Sequence, residues 1–183
     1  MQAFIELNQV KKQYQEKIAF QTEHLAIEQK QVCAIVGKNG SGKSTLLKLI
    51  SGLLYPEAGR VTVAGVTTTA KDIKEKAKFV LESGRGYYDY LTARQNLDYF
   101  LQLNHTSSKK QAEELAALTD QFDFSEHWDK KVSDLSQGNR QKLSLIVTLL
   151  LHPQVLCLDE PTNGLDIQSK DRLIACLKGF VEK

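Results

Sequence analysis

Between Gly37 and Ser44 the chain reads GKNGSGKS, which satisfies the spacing G-x-x-x-x-G-K-[ST] and suits one task, the holding of a row of phosphates. Gly37, Gly40 and Gly42 let the backbone turn tightly, so that consecutive N–H groups can face an anion with no side chain between. Lys43 would neutralise the β- and γ-phosphates, and the Ser44 hydroxyl would bind Mg²⁺. Asn39, Ser41 and Thr45 fall in or beside the same stretch and are further candidates to hold the phosphates. A second group follows in VLCLDE, where Asp159 and Glu160 leave the end of an apolar run. There Asp159 would anchor Mg²⁺ through water, and Glu160 would act as general base on the attacking water. Its plain alternative is a strand-end acid pair that caps the next helix, which the following PTNGLD disfavours. A third stretch, LSQGNRQK from Leu135 to Lys142, is a small-residue turn feeding a helix start, a second place where backbone donors could meet an anion.

These residues need elements to position them. Period-2 patterning in AFIELNQV and AFQTEHLAI predicts two half-buried strands of an antiparallel pair. VCAIVG is apolar throughout, as a strand buried on both faces would be. STLLKLISGLL reads as a helix and GRVTVAG as a strand. Capping-box spacing pairs Thr69 with Asp72, Thr92 with Gln95 and Ser108 with Gln111, which predicts helix starts at each. From Thr92 to about Leu151 the chain reads as mostly helical, and QVLCLDE returns to a buried strand. Helices are therefore expected between strands of a parallel core.

Composition bounds the function. With 183 residues and 42% hydrophobic content the chain can bury a core of its own. A net charge of +2, with lysine pairs scattered among acids, argues against a dedicated nucleic-acid surface. Cys33, Cys157 and Cys176 lie far apart, which suggests neither a disulfide framework nor a zinc site and fits a reducing cytosol. Cys157, inside its apolar run, reads as a small core residue. The start of the chain lacks the layout of a signal peptide, and the apolar run from Leu143 to Leu151 falls short of a membrane span. Any membrane role is expected to come through a partner.

In their order, GKNGSGKS, LSQGNRQK and VLCLDEPTNGLD resemble the Walker A, signature and Walker B plus D-loop motifs of ATP-binding cassette (ABC) ATPases, over nearly the whole chain. The resemblance implies an α/β fold of the P-loop NTPase type, with a RecA-like core, an antiparallel β subdomain and an inserted α-helical subdomain. It divides the chain into residues 1–91, 92–152 and 153–183. It implies ATP and Mg²⁺ as cofactors, head-to-tail pairing with a second ABC ATPase subunit, and a transmembrane permease subunit as partner at the cytoplasmic face of the cell membrane. On this reading Ser136 and Gly138 serve a nucleotide held by the other copy. Tyr14 takes the place of an aromatic that stacks on adenine, its alternative being an ordinary turn tyrosine. Asp166 resembles the D-loop aspartate that communicates across the dimer, and it is also a candidate helix N-cap.

Two departures from the family pattern stand out. Glu82, in FVLESGRG, sits where the family usually has a glutamine; its carboxylate could still accept a hydrogen bond from metal-bound water, while adding negative charge near Asp159 and Glu160. With YLTARQNLDYF after it, this variant resembles ATPases of ABC-2-type exporters. The second departure is that the strand and switch histidine expected after DIQSKDRLIACLKGFVEK are missing, so the chain reads as a truncated form in which nucleotide binding is expected and efficient hydrolysis is in question. His24, His105, His127 and His152 read as surface or packing histidines.

GRGYYDYL is the expected docking segment for the permease, with Tyr87, Tyr88 and Tyr90 exposed, unless those rings pack inward on the helical insert. Three functions follow in order: an ATPase powering an exporter; a nucleotide-dependent interaction module with little hydrolysis; and a soluble ABC protein acting on ribosomes or DNA. The lack of a second cassette or a basic patch speaks against the third.

Overall fold

The computed structural model describes residues 3–70, 72–81, 86–104 and 109–182. Glu82, His105 and Ser108 therefore lie outside the described residues. The chain divides into two compact units, one of Met1–Phe79, Gln154–Cys157 and Lys178–Lys183, the other of Val80–Pro153 and Leu158–Leu177.

The first unit is built on an antiparallel sheet. Strand β1 (Ile5–Tyr14) runs between β2 (Lys17–Ile27) and β3 (Ala58–Val63), and the short β4 (Val66–Thr67) closes the edge beyond β3. The predicted alternation is visible at the start of β1, where Ile5 and Leu7 are buried; at Gln9, with φ +49°, it slips by one residue and Val10 takes the next buried place. They share a core with Val61 and Val63 of β3 and with Leu46, Leu49 and Ile50 of helix α1 (Lys43–Ile50). Burying Leu7 and Leu49 completely is worth about 1.5–3 kcal/mol each, so α1 is held by its apolar face more than by its length.

The register of β1 on β2 steps from Lys12↔Phe20 to Gln13↔Ile18, which leaves Ala19 as a bulge without a ladder partner on β1. Strand β5 (Ala77–Val80) lies beside β6 (Val155–Leu158) in a two-stranded sheet. The Gln154 N–H donates to the Lys76 carbonyl at 2.8 Å and the Asp159 N–H to the Val80 carbonyl at 3.2 Å, so the two strands run parallel, as expected for this part of the core.

Two expectations fail here. VCAIVG forms no strand: Cys33 is exposed and Val36 is 92% exposed. A two-sided buried strand needs ladder partners on its edges, and no described residue pairs with this run. Apolar composition alone does not supply those partners. Helix α2 (Ile73–Lys76) begins after Asp72 with no side-chain cap, and Thr69 instead places its hydroxyl 3.0 Å from that of Thr67.

The second unit is helical. Helices α3 (Ala93–Leu103) and α4 (Lys109–Phe122) both pack on α5 (Gln137–Leu150), whose residues Gln141–Thr148 are all buried. The capping box predicted for α3 is formed: the Gln95 N–H donates to Thr92 Oγ1 at 3.2 Å, and the Thr92 N–H to Gln95 Oε1 at 2.9 Å. Buried Asn96 ties α3 to the preceding loop, accepting from the Tyr88 N–H at 2.8 Å and donating to the Tyr88 carbonyl at 3.0 Å. Phe122, Phe124 and Trp128 complete the core, and helix α6 (Ile167–Glu182) adds buried Leu173. No described helix is long and apolar enough to cross a membrane.

Candidate functional site

The loop Gly37–Ser44 leads from the exposed VCAIVG segment into α1. Gly40 has φ +79° and Gly42 φ +92°, backbone that a Cβ disfavours. Gly42 is the N-cap of α1 and supplies no side-chain cap, so the first turn, with Lys43, Ser44 and Thr45, presents its backbone donors toward the loop. The Lys43 ammonium donates to the Gly37 carbonyl at 2.9 Å and to the Lys38 carbonyl at 3.0 Å, folding the side chain back across the loop. The Ser41 N–H donates to the Lys38 carbonyl at 3.1 Å, which closes a turn around exposed Asn39.

A Cβ on Gly42 would overlap the Ala19 carbonyl oxygen. This carbonyl, carried by the β2 bulge, and the positive φ together forbid a larger residue at this turn. The same hairpin carries Tyr14, paired with Lys17 and 51% exposed. Within the first unit the structure thereby links the tyrosine to the phosphate-type loop through one strand.

In the second unit, Glu160 follows β6 with φ +48°, an unusual backbone for glutamate, and its Oε2 accepts from Asn163 Nδ2 at 2.5 Å. The Asn of PTNG thus fixes the carboxylate. Asp159 stands just before it, held through its backbone N–H.

Asp166 caps α6, accepting from the Ser169 N–H at 2.8 Å and the Ser169 hydroxyl at 2.7 Å. Those bonds, the hydroxyl's first, hold its carboxyl below the usual carboxylate range. Ser136 caps α5, its Oγ accepting from the Asn139 N–H at 3.2 Å. A Cβ on Gly138 would overlap the Gly164 carbonyl oxygen, so the turn before α5 and the loop before α6 meet backbone to backbone.

Asn139 and Gln141 give no signal in the sequence. Asn139 Nδ2 lies 3.1 Å from His127 Nε2, while Lys130 Nζ lies 3.2 Å from His127 Nδ1. Burial, then Lys130 and Lys142, pushes the His127 imidazole below its ordinary value. Gln141 is fully buried, and its amide has no hydrogen-bond partner among the described residues. Tyr87 turns inward, its hydroxyl bonded to Ser144 and Thr148 and its pKa pushed up to about 12 by burial. Tyr90 is 70% exposed, so the aromatic segment divides between the two orientations weighed for it. Burial pushes the Cys157 thiol up to about 12, as befits a core residue.

A family model described as "ABC transporter" matches residues 20–163. This chain belongs to the ABC transporter family. It is 34% identical to the ABC transporter ATP-binding protein NatA of Bacillus subtilis (strain 168), over 80% of this chain and 61% of that relative. Identity to the daunorubicin resistance ATP-binding protein DrrA2 of Streptomyces coeruleorubidus is also 34%, over 94% of this chain and 54% of that protein. A sulfate/thiosulfate import ATP-binding protein CysA of Synechococcus elongatus is 32% identical over 95% of this chain and 51% of its own length. The chain thus spans about half to three fifths of the length of these three relatives.

Among solved structures, the dimeric post-hydrolysis state of the ATP-binding cassette MJ0796, bound to ADP and Pi, superposes with a TM-score of 0.85 at 27% identity, covering 97% of this chain and 83% of that one. An ATP-binding subunit of an ABC transporter gives a TM-score of 0.90 at 22% identity, covering 98% of this chain and 75% of the other. The fold is therefore the P-loop NTPase fold of the ABC ATPases, with its antiparallel sheet and helical insert.

Proposed function

We propose that this chain binds and hydrolyses ATP to power a transmembrane permease, by closing head to tail on a second ABC ATPase subunit. The observation that carries the reading is the Gly37–Ser44 loop, where Gly42 opens the start of α1 and Lys43 bridges two loop carbonyls. Gly37, Asn39, Gly40, Ser41, Gly42 and Thr45 would cradle the phosphates, Lys43 would offset their charge, and Tyr14 would stack on the adenine. In the second unit Glu160 would orient and deprotonate the attacking water, while Ser136, Gly138 and Asp166 would serve the partner copy's nucleotide.

Ser44 and Asp159 offer the hard oxygen donors that suit Mg²⁺, and Glu82 is a third candidate oxygen donor. When bound, Mg²⁺ neutralises phosphate charge. Residues 92–152 would form the helical subdomain that carries the signature, and the exposed ring of Tyr90 would face the permease at the cytoplasmic side of the membrane. Export follows from the resemblance of the segment from Glu82 through YLTARQNLDYF and is supported by the daunorubicin-resistance relatives. The import relatives make uptake the competing reading.

The test is Mg-ATP turnover by the purified chain over a range of protein concentrations, with Lys43→Ala and Glu160→Gln as controls. Turnover should rise faster than linearly with concentration and vanish in both variants. Binding without turnover at any concentration would replace this function with that of a nucleotide-dependent interaction module.

A further inference from the structure

We propose that Lys12 and Glu57 are positioning residues that hold the Tyr14 ring as a one-sided platform for the base of the bound nucleotide. This rests on the reading of Tyr14 as the base-stacking residue and adds the residues that make it one.

Glu57 engages the end of β1 at three points. Its Oε1 accepts from the Lys12 ammonium at 2.6 Å, its Oε2 accepts from the Gln13 N–H at 2.9 Å, and its own N–H donates to the Lys11 carbonyl at 2.9 Å. These bonds fasten β1 at the step where its register on β2 shifts, between Lys12 and Gln13, immediately before Tyr14. The ammonium so held lies 5.4 Å from the centroid of the Tyr14 ring, within cation–π range. The Lys12 side chain is only 13% exposed whereas Tyr14 is 51% exposed. Lys12 therefore occupies one side of the ring and leaves the rest to solvent.

A free surface ion pair contributes little to stability, so a carboxylate that orders both a cation and a backbone N–H is better explained by what it orients. The bonds from Lys12 first, then Gln13, hold the Glu57 carboxyl below its ordinary value, so the clamp stays charged to a lower pH than a free glutamate would. Ala19, in the bulge opposite the same register step, abuts Gly42 of the phosphate-type loop. Fixing this end of the hairpin thus fixes the ring relative to the loop that would hold the phosphates.

The experiment compares the affinity of the full chain for Mg-ATP and for inorganic tripolyphosphate, which has phosphates and no base. The variants are Lys12→Met, Glu57→Gln, Tyr14→Ala and the conservative Lys12→Arg. Lys12→Met and Glu57→Gln should weaken ATP binding by about threefold to tenfold, leave tripolyphosphate binding at its wild-type value, and be mimicked by Tyr14→Ala, while Lys12→Arg retains ATP affinity. If Tyr14→Ala loses base-dependent affinity and the other two do not, the platform stands without its supports and the proposal is overturned. If Tyr14→Ala changes nothing, the stacking reading itself fails and takes the proposal with it. A parallel fall in tripolyphosphate binding would show that Lys12 and Glu57 act on the fold instead, which also overturns it.

Discussion

Two helices of this molecule begin with a glycine-bearing turn, and they are finished differently. At α1 the N-cap is Gly42, in left-handed backbone, with no side chain to satisfy the first turn. At α5 the N-cap is Ser136, whose hydroxyl already takes the Asn139 N–H, and Gly138 lies one position inside the helix against the Gly164 carbonyl. The first has no side-chain cap, which on the proposed reading leaves it open to an anion. The second is partly satisfied and is braced by the loop that leads to Asp166. On the proposed reading the first turn would hold phosphate, whereas the second is held in place by its own chain. Glycine is required at both, at Gly42 for its φ as well as for space and at Gly138 for space alone.

The strongest way to break this contrast is Gly42→Ala. The φ of +92° costs a non-glycine residue about 1–3 kcal/mol, and the overlap with the Ala19 carbonyl adds to it because both groups are backbone. Denaturant unfolding should show that loss, and titration with ATP should show binding abolished. Wild-type affinity in this variant would mean that the turn is not the anion site.

Gly138→Ala should have a smaller effect of a different kind. Its backbone is helical, so the cost is overpacking against Gly164 alone, about 1–3 kcal/mol and less if residues 160–164 shift. Stability should fall while ATP binding at the Gly37–Ser44 loop keeps its wild-type affinity. A loss of ATP affinity equal to that in Gly42→Ala would erase the distinction between the turns.

The smallest effect is a pH dependence confined to the braced turn. His127, bonded to Asn139, has a folded pKa below the ordinary 6.5, through burial and then Lys130 and Lys142, with Glu126 and Asp123 opposing. The unfolded chain therefore takes up this proton first, and stability falls as pH is lowered through the unfolded value toward the folded one. Unfolding midpoints measured from about pH 8 to about pH 5 should decline less steeply in His127→Gln than in the wild type. Identical slopes would remove His127 from the network.

What was legible in the sequence was short in range. The Thr92–Gln95 capping box forms because both partners lie within one turn of helix, and Ser136 and Asp166 cap their helices for the same reason. The alternation of Ile5 and Leu7 is likewise a property of one strand. Where reading failed, the missing information was a partner distant in sequence. VCAIVG has the composition of a central strand, yet Val36 is solvent-exposed, because no described neighbour completes its ladder. Tyr87 and Tyr90 are alike in sequence and differ because only Tyr87 meets the hydroxyls of Ser144 and Thr148 on α5.

By itself, then, the sequence determined the family, the loop of three glycines, lysine and serine, and the helix start at Thr92, since each depends on residue type at close spacing. Only the tertiary structure decided why Gly42 and Gly138 admit no side chain, what Glu57 does for Tyr14, and which carboxylate oxygen Asn163 holds. Those depend on carbonyls and side chains carried by other elements, and folding brings them within hydrogen-bond or van der Waals distance without leaving a local mark in the chain.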